Sequence, residues 1–598
     1  MKYRKLAIVE EETLFPGLTF FAQAIDELSF PYTIDSFRAP TMNPASLATE
    51  ALGLIEAQKK TGFGGKSLDH VLDEFESRLY GNAIVTSLLG ISVDRALKFD
   101  RSNLDASTSR LRVLGSQLPR AVYATRTMKL VSERLDSCKK NDLYFLAREL
   151  ISALQSCGVS LEYINDTVQR AFFSSETLPA KMAFQKFCKD VFPHQHNFEV
   201  VFRVGGVLNT LSDDEGKAFG LSFSERAPNQ MSSHIDSIGP IGHQERYVTV
   251  SGVQAPDRYS AARNGKMVVT RAHDILSLYH HKSTLSVSEN TLTVKKCCGS
   301  EVEFSSSNDN HMQRIQDRYP ATAKREFTKL LKGVKYPFGE SREQFFRVIE
   351  FHGTALASSV SENQLISLWT CFEILFAETS TDSSKANIVV SGVSPLLATT
   401  YLRRLMKYVY FDLVRYDRSG LTRIIRKAEP DSSLDMVEKL ALIIADPAFQ
   451  TVYDELQGAL GGFSLLRYRL YSLKKELGKP KDLRDKMEMH TRRIDWQIHR
   501  IYRARNAVVH SAAEVDNAPA LVMNAHEYFD LAFSALLELG SGDAGFSALS
   551  DAVNYCQVVY EEYQSYLKEV DGIRPNTVQR LLWEPRIVNR REVFSSSL

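Results

Sequence analysis

The chain has 598 residues, 44% of them hydrophobic and 24% charged, and a formal net charge of +1. Such a length holds three or four domains with large cores, and the composition is that of an ordinary globular protein. The near-zero balance removes any global electrostatic argument for nucleic acid, and no uncharged apolar run approaches the ~18–20 residues of a membrane helix.

The stretch Met1–Glu12 lacks the long apolar run of a signal peptide, so none is expected. Seven cysteines (Cys138, Cys157, Cys188, Cys297, Cys298, Cys371 and Cys556) form no CxxC pair. That pattern suits a reducing compartment, and a cytoplasmic location is expected.

Residues 1–195 are predicted to be a mainly helical N-terminal region, broken at Phe30–Pro44, Thr61–Lys66 and Lys139–Asn141. Leu143, Leu146, Leu150 and Leu154 line one face of a helix that stops at Gly158, and Ser160 caps a second helix through Tyr163, Ile164, Val168 and Phe172. Gly62–Ser67 echoes a phosphate-binding loop. Lys60 stands where its first glycine belongs, however, and the segment follows a helix rather than a strand, so no nucleotide site is expected. Cys188, His194 and His196 have no standard zinc spacing, and Cys297–Cys298 promises packing or redox chemistry at most. No metal and no cofactor is expected.

From residue 196 to 345 the period changes to two, which predicts an α+β domain. Phe198–Val204 alternates as a strand with one buried face, and further strands are predicted at Tyr247–Val253, Met267–Thr270, Thr284–Val287, Thr291–Lys295 and Val302–Ser305. Ser288–Asn290 is read as a hairpin connection, Ser212–Gln244 as a long loop, and Asn310–Val334 as rich in helix. A boundary follows near Tyr336–Gly339.

Residues 346–545 carry three strong helical patterns. Leu365–Phe376 is strongly apolar and contains Trp369 and a single acid, Glu373; Leu521–Leu537 is another apolar helix. Between them lies Arg503-Ala-Arg505-Asn506-Ala-Val-Val-His510, on a helix whose Ile494, Ile498, Ile501 and Val508 keep the rhythm of a buried stripe. Arg505 falls on that stripe, where an arginine needs an ion-pair partner or a second surface, either a phosphate or a partner subunit. Two local basic excesses accompany it: eleven basic residues against five acidic over Lys474–Arg505, and eight against three over Arg403–Glu429. They read equally as solvated helix faces or as a dock for a polyanion. Residues 546–598 complete the chain with a tyrosine-rich helix over Phe546–Val570 and a basic tail over Arg574–Arg591.

Arginine, a carboxamide and imidazole are the side-chain types that metal-free RNA cleavage asks for. The 2′-hydroxyl is the nucleophile, so the protein supplies a proton acceptor, a proton donor and positive charge for the phosphorane. Imidazole exchanges protons near neutral pH, which suits His510, while Arg505 offers fixed bidentate donors. Asn506 is a candidate to hold the imidazole or the ribose. Arg505 and His510, five residues apart, converge only if the helix ends or distorts around Val509, and the polar run Ser511–Asn517 suggests that it ends there.

Taken in order, the Trp-x3-Glu helix (Trp369, Glu373), the Arg-Asn-x3-His helix (Arg505, Asn506, His510) and the closing helix resemble the HEPN superfamily, specifically its Apea-like branch. The texture of residues 143–173 is similar to the segment that precedes the domain in that branch. The resemblance covers about residues 346–545 and implies an all-α helical bundle that dimerises and cleaves RNA without metal, in a toxin or anti-phage role. It departs from the family pattern at Ser380–Pro395, which reads as a loop. Under this resemblance Glu373 either orients Arg505 or is a structural partner. The apolar stripe is expected to be the dimer interface, with the site at its centre. RNA, a second copy of the chain and a regulatory partner or phage trigger are the expected partners, and no membrane. The alternatives are a non-catalytic HEPN module that binds RNA, nucleotide or a protein, and a structural protein in which Arg505 forms an internal ion pair.

Overall fold

The computed structural model describes the chain except residues 1–2, 9–13, 31–36, 62–64, 91–92, 94–98, 102, 227, 229–230, 232–233, 283–284, 300, 307–309, 314–318, 378–383, 428–432, 512–514, 543–544 and 586–598. Among the described residues helix dominates, at about 69%, beside one antiparallel sheet of six strands. None of the described helices is long and apolar enough to cross a membrane.

The apolar side chains gather into separate cores that do not follow the linear order of the chain. The largest unites the helices of residues 16–190 with those of 401–477 and with the end of the chain: Phe20, Phe21, Leu150 and Ile151 pack in one cluster with Leu402, Ile443, Leu466 and Ile573. A second core joins Trp369, Phe372 and Val393 to Ile494, Ile498, Phe529 and Val553. The stretch 346–545 expected as one domain is therefore shared between two cores, because the helices Tyr401–Arg426, Met436–Ala445, Gln450–Ala459 and Ser464–Leu477 pack on the N-terminal region. Two helices bridge the cores. Pro480–Ser511 runs 32 residues, about 48 Å at 1.5 Å per residue. Its Leu483 and Met487 sit in the first core and its Ile494, Ile498 and Ile501 in the second. Leu549–Glu569 does the same, with Val553 and Cys556 in one and Tyr563 and Leu567 in the other.

The N-terminal helices follow the expected signals. Gly158 takes a left-handed φ of 88° at the end of Lys140–Ser156, and the Ser160 hydroxyl accepts from the Tyr163 N–H at 3.2 Å to start Leu161–Phe172. Gly62–Gly64 of the phosphate-loop echo lie outside the described residues.

The sheet comprises β1 (His196–Gly205), β2 (Leu221–Ser224), β3 (Glu245–Ala255), β4 (Ser286–Val287), β5 (Asn290–Lys295) and β6 (Val302–Ser306), in the order β2-β3-β1-β5-β6 with β4 also on β1. Helix Arg258–Ser277 covers one face, its Ala261, Val269 and Ala272 meeting Phe198, Val200 and Val250. Its cap, Asp257, is buried and also accepts from the Ser160 N–H and hydroxyl at 2.8 Å each, which fastens the sheet to the N-terminal helices.

Four expectations fail here. Met267–Thr270 is not a strand; it lies inside the Arg258–Ser277 helix, where the Asp257 cap and the sheet's apolar face override four β-prone residues. Ser288–Asn290 is no hairpin, since β4 and β5 both pair with β1, at Val204↔Val287 and Val201↔Leu292, and form successive pieces of one edge. Ser212–Gln244 contains β2 and two short helices rather than only loop. Most of Ser380–Pro395 is helix as well: Lys385–Thr399 buries Val389 and Val393, and Pro395 sits inside it. A Cβ at Gly392 would lie 2.2 Å from the Phe376 ring, so this glycine allows close helix packing instead of marking a loop. Residues 380–383 lie outside the described residues.

Candidate active site

Pro480 opens the Arg505 helix in the position that tolerates a missing N–H, and His510 stands in its last turn. Around its C-terminal half the faces divide cleanly. Ile494, Ile498 and Ile501 are each no more than 1% exposed and pack inside this chain, so the stripe is core and is not available as a dimer interface. Tyr502 lies against the buried Trp369, with ring centroids 5.1 Å apart.

A different face meets the N-terminal region. The Arg500 guanidinium pairs with Glu50 at 2.9 Å and Glu74 at 2.5 Å, and Arg503 pairs with Glu50 at 2.7 Å. Burial alone would raise the Glu50 carboxyl, but the two guanidinium groups outweigh it and hold it at about 2. One turn back, His499 stacks on His70 with centroids 3.6 Å apart; burial, with His70 and Arg503 beside it, pushes its imidazole down to about 3. Other members of the basic excess are neutralised internally in the same way. Arg403 contacts Asp435, Glu438 and Glu584, Lys427 contacts Glu455 at 2.7 Å, and Lys486 contacts Glu476 at 2.6 Å. For these residues the structural explanation holds, and they offer no dock to a polyanion.

Arg505 is different. It is half-buried, has no carboxylate partner among the described residues, and makes one hydrogen bond, donating from Nη1 to the Asn506 side-chain oxygen at 3.1 Å. Its Nε is buried without a partner. Asn506 thus holds the arginine, where the imidazole or ribose was expected. Glu373 does not orient Arg505: it lies 3.0 Å from Lys385 of the following helix, unaligned for a hydrogen bond, and no bond or ion pair joins it to Arg505. The reason is the helical Lys385–Thr399 segment, which brings a lysine to the acid.

His510 is exposed. The helix stays regular to Ser511, so Arg505 and His510 point about 140° apart, with a rise of about 7.5 Å between them. The expected distortion at Val509 does not occur, and one chain does not bring the two groups together. Residues 512–514, the first part of the expected polar end, lie outside the described residues. Just beyond, Asp516 pairs with Arg120 at 2.5 Å and Glu527 with Arg38 at 2.8 Å, so the N-terminal region grips both sides of the motif.

Two side-chain groups were not visible in the sequence. His352 and His526 meet Nε2 to Nε2 at 3.2 Å, with Asp530 at 3.5 Å from His526; burial, and His526 next to it, push His352 down to about 4. Only the His526/Asp530 spacing of one helical turn was a signal. His196, Cys297 and Cys298 converge at one end of the sheet, a grouping that their spacing in the sequence did not signal. Compared with protein-family models, curated proteins and solved structures, the chain matches none of them.

Proposed function

We propose that this protein is a metal-independent endoribonuclease of the HEPN type, acting as a toxin or anti-phage effector. The observation that carries the proposal is Arg505: beside two arginines that acids neutralise, it has no carboxylate partner among the described residues and is held by Asn506. A half-buried guanidinium without a counter-charge is suited to an anion such as phosphate. In the proposed reaction a ribose 2′-hydroxyl attacks the adjacent phosphorus, and His510 takes its proton. A second His510 protonates the departing 5′-oxygen, and Arg505 bears the phosphorane charge. One copy supplies one histidine, so the two proton-transfer groups come from two copies across a two-fold axis. With Ile494, Ile498 and Ile501 buried, that contact falls to the exposed end of the helix, at Val509 and His510. The grip of the N-terminal region on both sides of the motif suits an enzyme whose basal activity a regulatory partner or phage component raises.

The products are a 2′,3′-cyclic phosphate and a 5′-hydroxyl. Purified protein with excess EDTA should cut RNA into fragments whose 5′ ends resist ligation until phosphorylated. Cleavage abolished by EDTA and restored by Mg2+ or Mn2+ would show the His/Arg chemistry to be wrong. One observation favours a second reading, a non-catalytic module that binds RNA, nucleotide or a protein: Arg505 and His510 leave the helix on different faces. That reading predicts no cleavage by the wild type and an Arg505→Ala variant that only loses RNA affinity.

A further inference from the structure

We infer that His196, Cys297 and Cys298 form a binding site for a thiophilic divalent cation, with Zn2+ the preferred ion, at one end of the sheet. The strand register builds it. β1 starts at His196 and β5 ends at Lys295; Phe198 pairs with Lys295, and the Lys296 N–H donates to the Asn197 carbonyl at 2.8 Å. Continuing that antiparallel ladder sets His196 opposite Cys297, and the turn after β5 brings Cys298 alongside. The donor atoms form a small triangle: His196 Nδ1 lies 3.4 Å from the Cys297 Sγ and 3.3 Å from the Cys298 Sγ, and the sulfurs are 3.6 Å apart.

Those separations are the edges of a metal tetrahedron. With Zn–S of about 2.3 Å and Zn–N of about 2.0–2.1 Å, tetrahedral angles place two sulfurs about 3.8 Å apart and a nitrogen and sulfur about 3.5 Å apart. The observed triangle agrees within about 0.2 Å. The sulfur–sulfur distance is far beyond the ~2.05 Å of a disulfide, and both thiols are exposed, so the pair does not serve the core. Binding displaces the thiol protons to solvent, so affinity rises with pH. Three protein donors leave one tetrahedral position for water. His196 also forms part of a surface pocket of about 440 Å3 shared with His194, Tyr163, Asp190 and Lys295, which gives a fourth ligand room. A pattern search misses the site because a strand ladder, and not a short Cys-x2-Cys spacing, brings the donors together. It lies on the sheet and is independent of the Arg505 chemistry.

The test uses the full chain, reduced, stripped with EDTA and titrated with Co2+ as the spectroscopic substitute for Zn2+. One equivalent should give a thiolate-to-cobalt charge-transfer absorption with intense tetrahedral d–d bands, and Zn2+ should displace both. The Cys297→Ser/Cys298→Ser double variant should lose the charge-transfer absorption with an unchanged melting temperature, and His196→Ala should bind at least about tenfold more weakly. The His352, His526 and Asp530 group has no sulfur, so cobalt bound there gives no such absorption. Absence of the charge-transfer band in the wild type, or its persistence in the double serine variant, would overturn the inference.

Discussion

Arg500, Arg503 and Arg505 stand within six positions on one helix, and their surroundings separate structure from function. Arg500 is buried between Glu50 and Glu74; removing it takes the cation from the buried Glu74 and leaves Glu50 with Arg503 alone, a change that costs about 3–5 kcal/mol. Arg505 has no such partner among the described residues. Thermal melts should therefore show Arg500→Ala strongly destabilised and Arg505→Gln close to wild type, while RNA cleavage is lost in Arg505→Gln. Equal destabilisation of both would return Arg505 to a purely structural role. The contrast was not legible in the sequence. All three arginines share the same local setting, and the acids that neutralise two of them lie more than 400 positions away. The resemblance likewise offered Glu373 as a partner, but an acid's partner is set by which helix packs next, and here that helix brings Lys385.

At the scale of elements, the positions of the regular patterns were readable. Strands form where β1, β3, β5 and β6 were expected, and Ile494, Ile498 and Ile501 are buried on the stripe predicted for them. The single buried face was not borne out, since β1 buries Val201 as well as Val200 and Phe202, and β5 buries Thr291 through Val294 in succession. What failed were short segments whose residues favour one state while packing imposes another, such as Met267–Thr270 in a helix and the Gly- and Pro-containing Lys385–Thr399 helix. The first three members of the stripe were read correctly as buried while Val508 is only half-buried, and what buries them is this chain's own core, which a periodicity cannot tell from a partner. The seam between the Arg505 helix and the N-terminal region carries a pH consequence. His70 and His499 are both pushed below the ordinary imidazole range, His499 to about 3, so the unfolded chain takes up protons first as pH falls. Their neutral forms cost nothing above about pH 6.5, and stability is lost progressively below it. His352, at about 4, acts with the same sign, whereas the Glu50 contribution is lost only below about pH 4.5. Lowering the pH from 7 to 5 should thus reduce stability by about 1–2 kcal/mol for each of His499 and His352. A His70→Phe/His499→Phe variant should show a visibly flatter dependence of melting temperature on pH; an unchanged slope would mean that the stack does not titrate on unfolding.

In the whole molecule, two bridging helices tie the Arg505 core to the N-terminal core, so the motif is not on an independently hung domain. That coupling was invisible in the sequence, where residues 346–545 read as one continuous unit. It is also what makes regulation plausible in physical terms, because any movement of the N-terminal region acts directly on Glu50, Arg120 and Arg38 beside the motif. The proposed composite site would further need a second copy. Val509, 46% exposed at the helix end, is the residue placed to meet it. Sedimentation should give a dimer at micromolar concentration, and Val509→Glu should give a folded monomer without ribonuclease activity. A monomer that still cuts RNA would exclude the two-copy arrangement.

The central claim is that His510 moves protons in RNA cleavage. His510 is exposed and off the buried stripe, so His510→Ala removes the imidazole while leaving the cores intact. The direct measurement is single-turnover RNA cleavage in EDTA by wild type and His510→Ala, alongside their melting temperatures. The rate should fall by about 10²–10⁴-fold with the melting temperature unchanged. A folded His510→Ala protein that cuts RNA at the wild-type rate would contradict the assignment.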